Sequence, residues 1–276
     1  MRRRTQRRRP APGDAPEIDS VGGGARRAIR WEELDVERLG AEGRRLVGAT
    51  WRERMKQEHL AVGAFALLAQ ELAAEGADPI VLSLITRASS DEVRHAGICK
   101  SFAITLLNPE VVEPRMRGLP RIPMHERSNA RERVLYHLVE MCCLSETLTG
   151  VYLTEMLDRT TDPVARIAIE SLLEDEIDHG RVGWAYLAAR ATEGSTEGLA
   201  SALPAMLDRT FDRVLTAGGR APADDSRLET CGFLGAKSAA DVYRRVLEAV
   251  IVPGFETLGI DLGPAWARIR ERAWLS

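Results

Sequence analysis

Two copies of one five-residue pattern stand in this chain: Asp91-Glu92-Val93-Arg94-His95 and Asp175-Glu176-Ile177-Asp178-His179. Glu and His three positions apart project from the same face of a helix. A carboxylate beside an imidazole is half of a site for a divalent first-row metal, which takes both ligand types. With 26 Glu and 5 His in 276 residues, chance supplies about half of one Glu-x-x-His. The chain holds two, each preceded by Asp, and no third. The plain alternative, a charged helix face with a solvated His, does not account for the doubling.

Such half-sites need elements that bring them together, and the signals along the chain are helical. Ala, Leu, Glu and Arg are abundant and no stretch alternates in the β manner. A first helix is expected over about 42–75, with Met55, Val62, Phe65, Leu68 and Leu72 along one side. Gly76 closes it, and Asp78-Pro79 opens a second helix, reaching about Leu107, with the usual order of cap then Pro. A third spans about 128–157, and Asp162-Pro163 starts a fourth that runs to about Thr192. Helices of some 30 residues are about 45 Å long, so four of them imply a bundle. Short turns join helices one and two, and helices three and four, as antiparallel hairpins. Between the hairpins lies 108–126, holding Pro109, Pro114, Pro120 and Pro123. Extended, it spans up to roughly 60 Å, enough to return along the bundle as a stiff strap. Two hairpins and one long crossover make a ferritin-like arrangement. The fold class expected is therefore all-α, with a disordered Arg-rich arm at 1–30, a bundle over 31–195 and a helical extension over 196–276. Breaks in the extension are expected near 218–222, 232–235, Pro253-Gly254 and 259–263.

A two-metal site in such a bundle takes one Glu from each of two helices and a Glu-x-x-His from each of the others. The partners must lie level with the motifs. From a turn near Thr161, Glu176 lies 15 residues beyond and Glu146 lies 15 before. Glu140 is 21 residues away, a mismatch of about 9 Å along the axis, which excludes it in an undistorted helix. From a turn near Ala77, Glu58 is 19 residues away, against 15 and 18 for Glu92 and His95; Glu53 and Glu71 lie too far and too near. The candidate ligands are Glu58, Glu92, His95, Glu146, Glu176 and His179.

With these residues in place, the pattern over roughly 42–193 resembles the ferritin-like di-iron carboxylate superfamily. Its members include ferritins, rubrerythrins, ribonucleotide reductase small subunits, bacterial multicomponent hydroxylases and arylamine N-oxygenases. The resemblance implies two iron ions, or iron with manganese, and reaction with O2. It also implies that Asp91 serves His179 and Asp175 serves His95, since a ligating imidazole gives its second N–H to a carboxylate. Arg94 matches the Arg of the hydroxylase motif and would offset the buried acids; Asp178, at the equivalent place in the second motif, departs from the pattern. Cys99 stands where the reductases carry their radical tyrosine, as in some hydroxylases. Leu172 stands where the N-oxygenases carry a third His, which argues against that subfamily. Cys142 and Cys143 precede Glu146 by one turn, so at least one should approach the site, as a tuning thiol or as a small core residue. Gly150 leaves room one turn after Glu146, and with Ala61 it marks either a pocket for substrate or close helix packing.

Composition bounds the remainder. The net charge is −3, but residues 1–30 carry nine Arg against three acids, a balance of +6 that leaves −9 for 31–276. An arm so poor in apolar residues should be disordered. Its Arg run could meet nucleic acid or an anionic surface, and is as readily a solvated tail, so nucleic acid is not the expected partner. It lacks the apolar stretch of a secretory signal, and no apolar run approaches a membrane span. The four cysteines show no Cys-x-x-Cys spacing, so reduced thiols and a cytoplasmic location are expected. The function expected is a non-haem di-iron oxidoreductase that uses O2 to oxidise a small organic molecule. No flavin fingerprint or rubredoxin spacing is present, so electrons are expected from a separate protein; a homodimer is one arrangement the chain allows. The alternatives are ferroxidase, iron handling or peroxide removal, and a bundle that serves only as an interaction module.

Overall fold

A computed structural model describes residues 27–107, 129–218, 223–262 and 267. Among these the chain is helical, with no strand. The first 26 residues of the arm and the whole Pro-rich strap lie outside the described residues. So do 219–222 and nearly all of the chain beyond 262.

Two 3-10 turns, Trp31–Glu33 and Glu37–Leu39, lead into α1, Gly40–Ala74. Gly76, in the left-handed region at φ 70°, lets the chain reverse without a Cβ penalty. Asp78 then caps α2, Pro79–Leu106, by accepting from the Ile80 N–H, with Pro79 in the first turn. Asn129 opens α3, Ala130–Leu138, with a full capping box to Glu132. The chain then widens into a π-helical segment, Val139–Glu146, before α4, Thr147–Arg159. The expected third helix is therefore continuous but not regular. Asp162 caps α5, Pro163–Thr192, by accepting from the N–H groups of Val164 and Ala165. The extension adds α6, Leu199–Gly218, α7, Ser226–Glu229, α8, Ala236–Val246, a π-helical segment Leu247–Ile251, and α9, Val252–Thr257. The expected break at Pro253-Gly254 is not there. Pro253 falls in the first turn of α9, where its missing N–H costs little, and helical backbone runs from Ala236 to Thr257.

Helix α1 lies along α2, α2 also packs on α5, and α5 packs on α4 and on the π-helical segment before it. Two apolar cores form. One gathers Phe65, Leu68, Ile85, Ala88, Leu144, Leu148 and Leu187. The other gathers Trp51, Met55, Cys99, Phe102, Tyr152, Met156, Ile169 and Leu172. Each long helix contributes to both, and the stretch between is where Glu58, Glu92, His95, Glu146, Glu176 and His179 fall. A belt of buried polar groups thus separates two dry cores. No described helix is long and apolar enough to cross a membrane.

Candidate metal centre

The six side chains come from four stretches: Glu58 from α1, Glu92 and His95 from α2, Glu146 from the end of the π-helical segment, and Glu176 and His179 from α5. They form two overlapping groups. Glu58, Glu92, His95 and Glu176 make one; Glu92, Glu146, Glu176 and His179 make the other, with the ligand atoms of each within 4.8 Å of one another. Glu92 and Glu176 belong to both, and each divides its oxygens between them. Glu92 turns Oε2 to His95 Nδ1 at 3.6 Å and Oε1 to His179 Nδ1 at 3.3 Å. Glu176 turns Oε1 to His95 Nδ1 at 3.3 Å and Oε2 to His179 Nδ1 at 3.4 Å. Glu58 Oε2 closes the first group, 4.0 Å from His95 Nδ1.

The far side of each imidazole meets an aspartate from the opposite motif. His95 Nε2 lies 3.1 Å from Asp175 Oδ2, and His179 Nε2 lies 3.6 Å from Asp91 Oδ2. Each ring therefore has one nitrogen turned to a carboxylate and Nδ1 turned inward, the orientation a ligating His takes. Arg94 hydrogen-bonds Asp175 and also donates to Ser171 Oγ at 2.8 Å and to the Ser171 carbonyl at 3.1 Å. Arg87 Nε lies 3.4 Å from Asp91, and its Nη2 lies 3.5 Å from Asp175. Asp178 points outward to Arg181 at 3.2 Å, so the position that departs from the motif leaves no buried charge to offset.

Burial sets the protonation of these groups. It pushes Glu58 and Glu146 well above the usual carboxylate range, and the charges of neighbouring glutamates push further. Burial opposes the charge on Glu176, yet the imidazoles of His179 and His95 hold it well below that range; Glu92 is lowered similarly. Against the same burial, Glu92 and Glu176 raise His95 to about 9, and Asp91, Glu176 and Glu92 raise His179 to about 12. In the metal-free protein the belt is thus a set of anions held together by protons.

A cation fits it better. Both oxygens of Glu92, both of Glu176, and Nδ1 of both histidines are buried without a hydrogen bond of normal geometry. The nitrogen–oxygen approaches of 3.3–3.6 Å are close but misaligned. A cation with bonds of about 2.1 Å places its ligand atoms roughly 3.0–3.4 Å apart. Orphaned buried donors that surround a common point at nearly that spacing could hold a metal ion at each of two adjacent positions.

Other candidates fall out as follows. Glu140 is buried but faces away, bound at both oxygens by Arg209 at 2.9 and 2.8 Å. Cys99, Cys142 and Cys143 are buried, and burial raises all three thiols, so they stay protonated core residues. Cys142 touches α5 where Gly183 has no side chain; a Cβ on Gly183 would lie 2.4 Å from the Cys142 Cβ. That contact seats the π-helical segment against α5. Gly150 is buried, yet a Cβ there would meet no atom within 4 Å. Ala61 is half-buried against the first core. A shallow depression lined by Leu84, Arg87, Ala88, Asp91, Asp178 and His179 opens between α2 and α5.

Three features had no place in the sequence reading: the π-helical segment, Arg87 and Arg54. Arg87 precedes Asp91 by one turn and Arg54 precedes Glu58 by one turn, spacings at which a pair meets on one helix face; that was the available signal. Comparison with protein-family models, with curated proteins and with solved structures gave no match.

Proposed function

We propose that this chain is a ferritin-like four-helix bundle whose polar belt holds two iron ions and that it is an O2-dependent oxidoreductase acting on a small organic molecule. One observation carries the reading: Glu92 and Glu176 each present one oxygen to each of two imidazoles, the posture of carboxylates shared between two ions. Glu58 and His95 would complete one position, Glu146 and His179 the other. Oxygen-rich ligation with one imidazole per ion suits iron, and manganese in one position is compatible. Bound iron supplies the reduction of O2 and the oxidising power. The chain supplies the rest. Asp175 and Asp91 keep Nδ1 of each His inward, Arg94 and Arg87 offset those aspartates, and the flanking cores keep bulk water from the belt. The open space beside Gly150, one turn past Glu146, is where a substrate would lie. Electrons would come from a separate donor protein.

Anaerobic loading with ferrous iron tests this directly. Close to two ions should be held per chain, and exposure to O2 should oxidise them with a change in absorption. Glu92→Ala and His179→Ala should each abolish the pair. Full metal content in both variants would sink the assignment. Gly150→Phe separates the oxygenase from a ferroxidase: it should block oxidation of an organic substrate and leave iron uptake intact. A ferroxidase admits only iron and O2, so the same change should leave its iron oxidation rate nearly unaltered.

A further inference from the structure

Arg54 lies on α1 one turn before Glu58, with 16% of its side chain exposed. Its Nη1 is 3.5 Å from Glu58 Oε1, and its guanidinium carbon sits 5.2 Å from the centre of the Tyr152 ring, within cation–π range. Tyr152 stacks in turn on Tyr243 of α8, with centroids 5.7 Å apart and planes 15° from parallel. The guanidinium meets Glu58 Oε1 and the Tyr152 hydroxyl, and no atom of Arg54, Tyr152 or Tyr243 is among the fully buried polar atoms left without a partner, so the rest of the fork is open to solvent. A guanidinium carries five donors in a planar fork that matches a carboxylate. The donors not turned to Glu58 or Tyr152 can take a carboxylate that arrives from solvent along the rings. Burial pushes both phenols up, so they too stay protonated and able to donate.

Charge points the same way. With two divalent cations in place the belt holds +4 from the metals and +3 from Arg54, Arg87 and Arg94. Against these stand −6 from Glu58, Glu92, Glu146, Glu176, Asp91 and Asp175. Both histidines count as neutral ligands. The balance is +1. Arg87 contacts both aspartates and Arg94 contacts Asp175, whereas Glu58 would be shared with a cation, so the surplus sits at Arg54. We propose that Arg54 is the recognition group for a small organic monoanion, a carboxylate held by the guanidinium fork and the hydroxyls of Tyr152 and Tyr243. The stacked rings offer a flat apolar wall to the rest of the molecule, which favours an organic acid over an inorganic anion. This inference rests on the two-metal reading and names the class of molecule that site would accept.

Calorimetric titration of the metal-loaded full chain with benzoate, and with neutral benzamide, tests it at fixed ionic strength. Benzoate should bind and benzamide should bind far more weakly. Arg54→Gln should weaken benzoate by about tenfold to a hundredfold. Arg54→Lys should recover part of the loss, restoring charge without the fork, and Tyr152→Phe should cost a smaller factor in a chain whose charges are untouched. Metal analysis of the same samples should still give two ions, since Arg54 repels cations. Equal benzoate affinity in wild type, Arg54→Gln and Tyr152→Phe overturns the proposal, because the acid would then sit on the metals or elsewhere. So does an absence of binding to loaded wild type. A chain that holds no metal fails at the two-metal reading instead, and the metal count tells the two failures apart.

Discussion

Loading the metal-free protein with two divalent cations should expel protons, and the two imidazoles set a minimum for how many. A ligand must be deprotonated to bind a metal. His95 holds its proton up to about 9 and His179 up to about 12, while burial keeps Glu58 and Glu146 protonated well above the usual range. Glu92 and Glu176 are already ionised. Near neutral pH the two imidazoles therefore give up about two protons to the two cations, and Glu58 and Glu146 add to that count wherever they still hold theirs. Each displaced proton contributes roughly tenfold in affinity per pH unit. Lowering the pH from 7 to 6 should then weaken the combined binding of both ions by about a hundredfold from the imidazoles alone. Manganese(II) titrations in two buffers of different ionisation enthalpy count the protons directly. Release of fewer than one proton, or affinity that does not change between pH 6 and pH 8, would refute the reasoning.

The same groups give the metal-free protein a pH-dependent stability whose sign is opposite. All four have folded values above the ordinary ones of 4.5 for Glu and 6.5 for His. Their contribution is fully present below those values and is lost as pH rises through the folded ones. Glu92 and Glu176, which are lowered, act the other way and lose their contribution as pH falls below about 4.5. Between about pH 6.5 and pH 9 the metal-free chain should melt at progressively lower temperature, with His95 and His179 contributing alike. Metal should remove that trend by taking the place of the protons.

Four further outcomes can be checked together. Glu146→Ala should empty one metal position, whereas Glu140→Ala should leave both filled and instead cost roughly 1–3 kcal/mol by stranding Arg209, read by metal analysis beside urea melts. Asp175→Asn and Asp91→Asn should keep the fold and weaken metal affinity by about 10–100-fold. Asp175 should matter more, because its contact to His95 is 3.1 Å against 3.6 Å for Asp91 and His179; unchanged affinity in both would return them to plain helix acids. Gly183→Ala should destabilise the chain by roughly 1–3 kcal/mol, since the new Cβ meets the backbone and side chain of Cys142, and a midpoint shift in urea would show it. Deleting residues 1–26, short of Ile29 on the second core, should leave metal content and melting temperature nearly unchanged; a large drop in melting temperature would show that the arm docks.

Much of the belt could be read from the chain because helices keep count. A fixed rise per residue and a short turn make distance from the turn a measure of height. That is why Glu146 rather than Glu140 meets Glu176. The caps at Asp78 and Asp162 were legible for a similar reason, being local and stereochemical. What escaped was phase. The π-helical segment over Val139–Glu146 shifts the helix face without a residue signature of its own. Its partner signal, Gly183 opposite Cys142, has meaning only once α5 is beside it. Arg54 and Arg87 were visible at one-turn spacing from Glu58 and Asp91, but an Arg beside an acid on a helix is usually a solvated pair. Only burial of the acid makes it anything else. Pro253 misled because a proline at a helix start and a proline at a break read alike without the neighbouring turn.

The polar belt also bears on whether this chain could be an inert interaction module. Replacing buried ionic groups by apolar residues of similar volume is often neutral or stabilising. A bundle with no ligand to hold would therefore lose nothing by filling the gap between Met55 and Phe65 on α1, or between Ile85 and Phe102 on α2, with more leucine. Instead that gap carries four buried glutamates, two histidines and two aspartates. Their cost in the metal-free state is offset by protons and by Arg87 and Arg94, and several ligand atoms still lack a hydrogen bond of normal geometry. Residues aimed at one another's centre and braced from behind by Asp91, Asp175, Arg87 and Arg94 are placed as groups that could hold a metal ion, which an inert packing surface does not require.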